Sequence, residues 1–240
     1  MKSDVISNIV PDSNPWKDRI YLTFDIDWAH DDVLNYTIDL VESYDVCATW
    51  FVTHETPILD RLRANPNFEL GVHPNFNPLL NGSLESFKNA YEVLTNILSI
   101  VPEAVSVRSH SMTQNTYLLQ IFRDAGLTHD SNHFIPSQSK MVLLPWRLWN
   151  GLIKCPYFWE DDLHCLFKDH SVEIDDLIQQ EGLKIFDFHP IHVFLNTESL
   201  DRYECTRPFH HSPKELIKHS YEGYGTRNRL IELLKLAKSI

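Results

Sequence analysis

The sequence predicts an α/β fold on a parallel sheet, as an open doubly wound sheet or a closed or distorted α/β barrel. Three observations lead there. From residue 20 onward, short apolar runs rich in β-formers alternate with amphipathic helical patterns. Polar side chains with catalytic potential recur at the C-terminal ends of those runs, the edge where α/β barrels build their sites. The 240 residues, 43% hydrophobic and 12% aromatic, are enough for one large core, giving one domain with an elaboration.

Residues 1–18 are polar and proline-punctuated, and are expected as an arm ahead of a single catalytic domain over 19–240. Strands are expected at 20–25 (IYLTFD), 47–53 (CATWFVT), 69–73 (ELGVH), 104–108 (AVSVR), 127–130 and 184–189 (KIFDFH). After the first strand, Leu34, Ile38 and Val41 recur at helical spacing. Leu84, Phe87, Tyr91, Leu94 and Leu98 give a second amphipathic helix, and Tyr117 to Phe122 a third, capped by Thr113 or Asn115. Residues 227–238 read as a last helix. Residues 131–171, rich in Trp, Pro, Phe and acids, break the alternation as an insertion that either shapes a pocket or caps the barrel.

A net charge of −12 argues against a nucleic-acid partner, which requires clustered Lys and Arg. Cys47, Cys155, Cys165 and Cys205 show no zinc-finger or CxxC spacing and read as reduced, mostly buried thiols. The first residues lack the apolar segment of a secretory signal, and no run suits a membrane helix. A cytoplasmic protein with no membrane insertion is therefore expected. Thirteen His against seven Gly points to metal or acid–base chemistry without locating it.

Location comes from the strand ends. Asp25, Asp27, His54, His73, Arg108, Asp130 and His189 all fall on one predicted rim. Taken in order, TFDID, ATWFVT, ELGVHPNFNP, SVRSHS and FDFHPIH resemble the polysaccharide deacetylase family, the NodB-homology or carbohydrate esterase 4 group, over about residues 20 to 195. The chain looks most similar to the divergent WbmS-like branch, sharing FDxDWA, HPNFNP and FHPxH. The resemblance implies a distorted (β/α) barrel and hydrolysis of an N-acyl (or, less favoured, O-acyl) group from a sugar, with a divalent ion, zinc first. It makes Asp25 the base, Asp27 and His73 metal ligands, and His189 the late catalytic histidine. Two departures stand out. Ile26 separates Asp25 from Asp27, although side chains two apart on a strand share a face. And where the family has its second histidine, this chain has Asn77.

The chemistry fits this set. Asp27, His73 and Asn77 would hold an ion with positions left open. Asp25 would accept a proton from water, and His189 would protonate the leaving nitrogen. Arg108 pairs with Asp25 or is a plain structural ion pair. Asp130 orients His189 or binds sugar hydroxyls. His54 lines the pocket or caps a strand. If Asn77 is only a turn residue, His110 is the first substitute ligand. His192 reads as support or packing beside His189. In CPYFWEDDLH, Trp159 and Asp161 belong to a sugar site, or the aromatics are core and the acids a solvated turn. His210, His211 and His219 read as surface. The expected substrate is an acylated amino sugar or precursor of surface-glycan synthesis. The rivals are a metal-free glycoside hydrolase pairing Asp25 with Glu160 or Asp161, and an inactive glycan- or metal-binding relative.

Overall fold

A computed structural model describes residues 1–84, 86–167 and 173–237. Among the described residues ten strands form one sheet: β1 (Lys2–Asp4), β2 (Arg19–Asp25), β3 (Ala48–Val52), β4 (Phe68–Val72), β5 (Ser106–Val107), β6 (His129–Asp130), β7 (Trp146–Arg147), β8 (Ile153–Lys154), β9 (Trp159–Glu160) and β10 (Ile185–Phe188). Their order is β7-β8-β6-β5-β4-β3-β2-β10-β9, with β1 added beside the first half of β2. Every pairing is parallel except β7 with β8. The sheet curls into a distorted (β/α) barrel, the architecture the sequence implies. Its central strands are buried along nearly their whole length, which explains why IYLTF and ATWFV read as continuous apolar runs rather than alternating ones.

The connecting helices are α1 (Asp31–Glu42), α2 (Ile58–Ala64), α3 (Asn77–Leu80), α4 (Ala90–Ile100), α5 (Thr116–Asp124), α6 (Asp161–Phe167), α7 (Ile174–Gln179), α8 (Pro190–Leu195), α9 (Leu200–Thr206), α10 (Pro213–Leu216) and α11 (Thr226–Ala237). Asn115 caps α5 by accepting the Leu118 N–H, as expected. The second amphipathic helix needs correction. It starts only at Ala90, because Asn89 accepts the Glu92 N–H and Glu92 accepts the Lys88 N–H, a capping arrangement that fixes the start. Val93, Leu94 and Ile97 make its buried face, while Leu84 lies outside the helix and is 61% exposed. Position 238 of the expected last helix and positions 168–171 of the insertion lie outside the described residues. The rest of the insertion builds β7 and β8 at one edge of the sheet and β9 at the other. Among the described residues, no helix is long and apolar enough to cross a membrane.

Residues 1–18 are part of the fold rather than a free arm. Ile6 and Ile9 are fully buried. Ile6 N–H donates to Thr49 Oγ1, Ser7 N–H to Glu69, and the Ile9 carbonyl meets His129 Nε2. Thr49, Glu69 and His129 lie at the beginnings of β3, β4 and β6, so this segment closes the barrel floor. The opposite mouth, where the strands end, is left for the polar rim.

Candidate active site

β2 delivers Asp25 at its last position and then turns sharply. Ile26 to Ala29 form a β-turn closed by Ala29 N–H to the Ile26 carbonyl (2.9 Å), with Asp27 (φ 37°) and Trp28 (φ 54°) both left-handed. Asp27 therefore reaches the rim through a turn, not through strand alternation with Asp25. The acids that follow serve α1. Asp31 and Asp32 occupy its first turn, favourable at a helix N-terminus, and Asp31 also accepts from Thr56 (2.6 Å). Two strands away, beyond β3, His73 directly follows β4, and the loop after β5 returns to hydrogen-bond the Pro74 carbonyl through His110 N–H (3.0 Å).

These three segments bring three donor atoms together. Asp27 Oδ1 lies 3.2 Å from His73 Nε2 and 3.3 Å from His110 Nδ1, and the two nitrogens are 3.4 Å apart. Ligand atoms around a tetrahedral zinc with bonds of about 2.05 Å are themselves about 3.3 Å apart. Asp27 Oδ1 is buried yet accepts no aligned hydrogen bond. An orphaned carboxylate oxygen facing two imidazole nitrogens at ligand spacing is the donor set a divalent cation takes. Burial works against the Asp27 charge, but the close His110 and His73 rings hold its carboxyl well below the usual range. Burial likewise opposes charge on His73, whereas Asp25 and Asp27 push its pKa up. A bound cation would replace that proton.

His189 stands at the end of β10 and faces the other oxygen of Asp27 (Nε2 to Oδ2, 3.7 Å). Asp161, fully buried at the start of α6, fixes it twice. It accepts the His189 backbone N–H (2.9 Å) and sits 2.7 Å from Nδ1. Burial disfavours the imidazolium, but Asp161, with Asp162 and Asp27, more than offsets this and holds the His189 pKa well above its ordinary value. Below the rim, Arg108 is 1% exposed and its guanidinium donates to Thr23 Oγ1 (2.9 Å), Asp25 (3.0 Å), Asp187 and Ser131 Oγ (3.1 Å). The rings of Phe51 and Tyr157 lie over it at 4.6 and 4.4 Å. Asp25 also lies 3.5 Å from His73 Nδ1. A cleft of ≈460 Å³ opens above, reached by Asp27, His110 and His189 and walled by residues of α8, α9 and the segment after it.

A model of the WbmS-like polysaccharide deacetylases matches residues 22–207, which contain every one of these groups. The chain belongs to the WbmS-like polysaccharide deacetylase family. A crystal structure of WbmS from Bordetella bronchiseptica, assigned as a polysaccharide deacetylase involved in O-antigen biosynthesis, is 47% identical over 98% of both chains, with a TM-score of 0.94. The 4-alpha-glucanotransferase of Thermococcus litoralis is 12% identical over 72% of this chain and 33% of its own, with a TM-score of 0.49. No curated protein sequence matches the chain.

In this WbmS-like chain the sequence-predicted residues divide into several groups. Asp25, Asp27, His73, Arg108, His110 and His189 converge. His110, the substitute the sequence offers for Asn77, is the third corner of the triangle. Asn77 begins α3, and its amide donates to Ser111 Oγ (3.0 Å), beside the loop that carries His110. Ser111 and Met112 are both left-handed in that loop, so the bond helps hold a strained segment. Asp130 is also redirected. It is fully buried, salt-bridged to Lys154 (2.6 Å), and accepts the Asn132 N–H, while Asp161 orients His189 in its place. His54 contacts Thr53 Oγ1 (2.8 Å) at the end of β3. Trp159 is core, packed on Phe186 and Phe188. Asp161 is no solvated turn. Both of its oxygens are engaged by His189, which makes Asp161 a poor partner for Asp25 in the glycoside hydrolase pairing. His192 packs edge-on to His189, contacts Thr197 Oγ1 (3.1 Å) and lines the cleft. His210, half-buried, and His211, exposed as the surface reading has it, also line the cleft. Asp187 was missed. Its signal is FDFH itself, where Asp187 is the one polar residue of an otherwise apolar strand and lies two positions before His189.

Proposed function

We propose that the protein is a zinc-dependent deacylase that releases the N-acetyl group of an amino sugar. The observation that carries this reading is the triangle of Asp27, His73 and His110 donor atoms opening on the same cleft as the His189–Asp161 pair. A divalent ion held by these three residues supplies, when bound, a Lewis acid that lowers the pKa of a water to about 7 and polarises the acyl oxygen. Asp25, fixed by Arg108, takes a proton from the attacking water. His189, held as imidazolium by Asp161, gives its proton to the sugar nitrogen as the C–N bond breaks, leaving acetate and a free amine. Such acid catalysis contributes about 10²–10⁴-fold. Asp25 also faces His73 Nδ1, the position of a carboxylate that orients a metal-bound imidazole. Its replacement separates the two roles.

The O-antigen role given for the Bordetella relative, with the cytoplasmic location expected from the sequence, favours a nucleotide- or lipid-linked acylamino sugar over a finished polymer. Residues 19–240 act in this reading as one catalytic domain, with the insertion at 131–171 contributing Asp161. The test is release of free amine from a panel of N-acetylated hexosamines and their nucleotide conjugates, with and without chelator. Turnover lost to the chelator and restored by zinc is expected. Turnover that survives chelation, or no amine from any member, would contradict the reading.

A further inference from the structure

Trp28 is left unused by the deacylation chemistry, yet the fold keeps it at a conformational disadvantage. It is the second central residue of the 26–29 turn, where Gly or Asn is the usual occupant and a bulky side chain at φ 54° is an outlier. The residue is 41% exposed, although it follows directly on Asp27. The conformation is held in place. Trp28 N–H donates to Thr53 Oγ1 (3.2 Å), and that oxygen is in turn engaged by His54 Nδ1 (2.8 Å), which gives His54 its place in the site. The indole stands nearly perpendicular to the His110 ring, centroids 5.2 Å apart, and lines the cleft. A second line of rings enters the same cleft: His192 and Tyr203 are 4.9 Å apart, and Tyr203 and His210 4.8 Å. Asp162 and Glu204 add carboxylates to its lining.

Backbone strain in an exposed, well-anchored side chain at a reactive centre is a signature of ligand binding rather than of packing. We propose that Trp28 is a platform for one face of a pyranose ring, so that the site takes a hexosamine unit by its apolar C–H face. The N-acyl arm then points to Asp27, His73 and His110. A pyranose presents C–H bonds on its faces and hydroxyls around its edge. The C–H face suits the negative face of an indole, and the edge suits carboxylates. The direction of the acyl arm rests on the deacylase reading. The platform itself requires only that a sugar binds.

The probes are methyl N-acetyl-β-glucosaminide and methyl N-acetyl-β-galactosaminide, titrated by saturation-transfer NMR into the zinc-loaded full chain. Zinc content and melting temperature are measured on every variant. Wild type is expected to bind at least one glycoside, with saturation concentrated on the protons of one ring face. Trp28→Phe should stay within about twofold, and Trp28→Ala should bind roughly five- to tenfold more weakly with zinc content unchanged. Trp28→Leu keeps bulk without a π face and should match the Ala variant, so a poorly folded Ala protein still leaves a decisive comparison. Binding by the Leu variant as tight as wild type would overturn the platform, as would a wild type that binds neither glycoside. Zinc lost together with sugar affinity in the Leu variant would also overturn it, leaving Trp28 as a shield for His110. Trp28-dependent binding without amine release would uphold the platform and sink the deacylase reading alone.

Discussion

Replacing Arg108 by Met removes a charge on which the whole rim is stacked. Methionine keeps most of the apolar stem, so the change isolates the guanidinium. That group is buried, and it is held as a cation because Asp187 and Asp25 more than offset the cost of burying it. Without it, Asp25 and Asp187 are left together with no cation between them, and Phe51 and Tyr157 lose theirs. Breaking a buried ion pair by removing one partner costs about 3–5 kcal/mol. At about 2–4 °C per kcal/mol for a chain of this size, the melting temperature should fall by about 6–20 °C. The pH dependence has a defined sign. Burial raises the Asp187 carboxyl above its unfolded value even with Arg108 beside it, and loss of Arg108 raises it further. A raised acid binds a proton in the native state that the unfolded state releases. Stability is therefore fullest below the unfolded value of about 4 and falls as pH rises through the folded value. Wild type and variant both hold the Asp187 proton below the folded value of about 8, so the variant's deficit should be level from about pH 5 to 7. It should grow as pH rises through about 8, where wild type releases that proton and the variant keeps it, and adding Asp187→Asn should remove that rise. Thermal melts across that range decide the matter. A variant within about 2 °C of wild type at neutral pH would refute the reasoning.

Asp25→Asn and His189→Ala should each keep zinc, measured by elemental analysis, while turnover drops about 10²-fold or more. Zinc lost from Asp25→Asn would make that residue the orienter of His73 instead. Asp161→Asn removes the main support of the His189 imidazolium, so the alkaline limb of the pH–rate profile should move to lower pH, and an unmoved limb would exclude His189 as the acid. In zinc titrations, Asn77→Ala should weaken binding by about 10–100-fold, as loss of a supporting group does, and His110→Ala by more. The reverse order would return Asn77 to the ligand set.

The rim was legible because parallel strands end together. Each chemistry-bearing residue at the end of an apolar run, from Asp25 to His189, lands on the same side of the barrel. Partners across the chain were not legible. Asp161 and Asp130 lie in equally acidic or polar contexts, and only the placement of β9 next to β10 decides that Asp161 reaches His189 while Asp130 meets Lys154. Asn77 was placed from spacing along the sequence alone, which does not show that β5, adjacent to β4, brings His110 to His73 and that the Asn77 amide bonds Ser111 beside it. The N-terminal segment was read as an arm from its polarity, yet two isoleucines and a handful of backbone hydrogen bonds suffice to close the barrel floor.

The central claim is that Asp27, His73 and His110 hold the catalytic ion. Diffraction from zinc-grown crystals, recorded on both sides of the zinc absorption edge, tests it most directly. The account predicts one anomalous peak per chain about 2.0–2.2 Å from Asp27 Oδ1, His73 Nε2 and His110 Nδ1, with Asn77 still bonded to Ser111. A peak held by Asn77 in place of His110, or one centred on Asp25, Asp187 and His189, would contradict it.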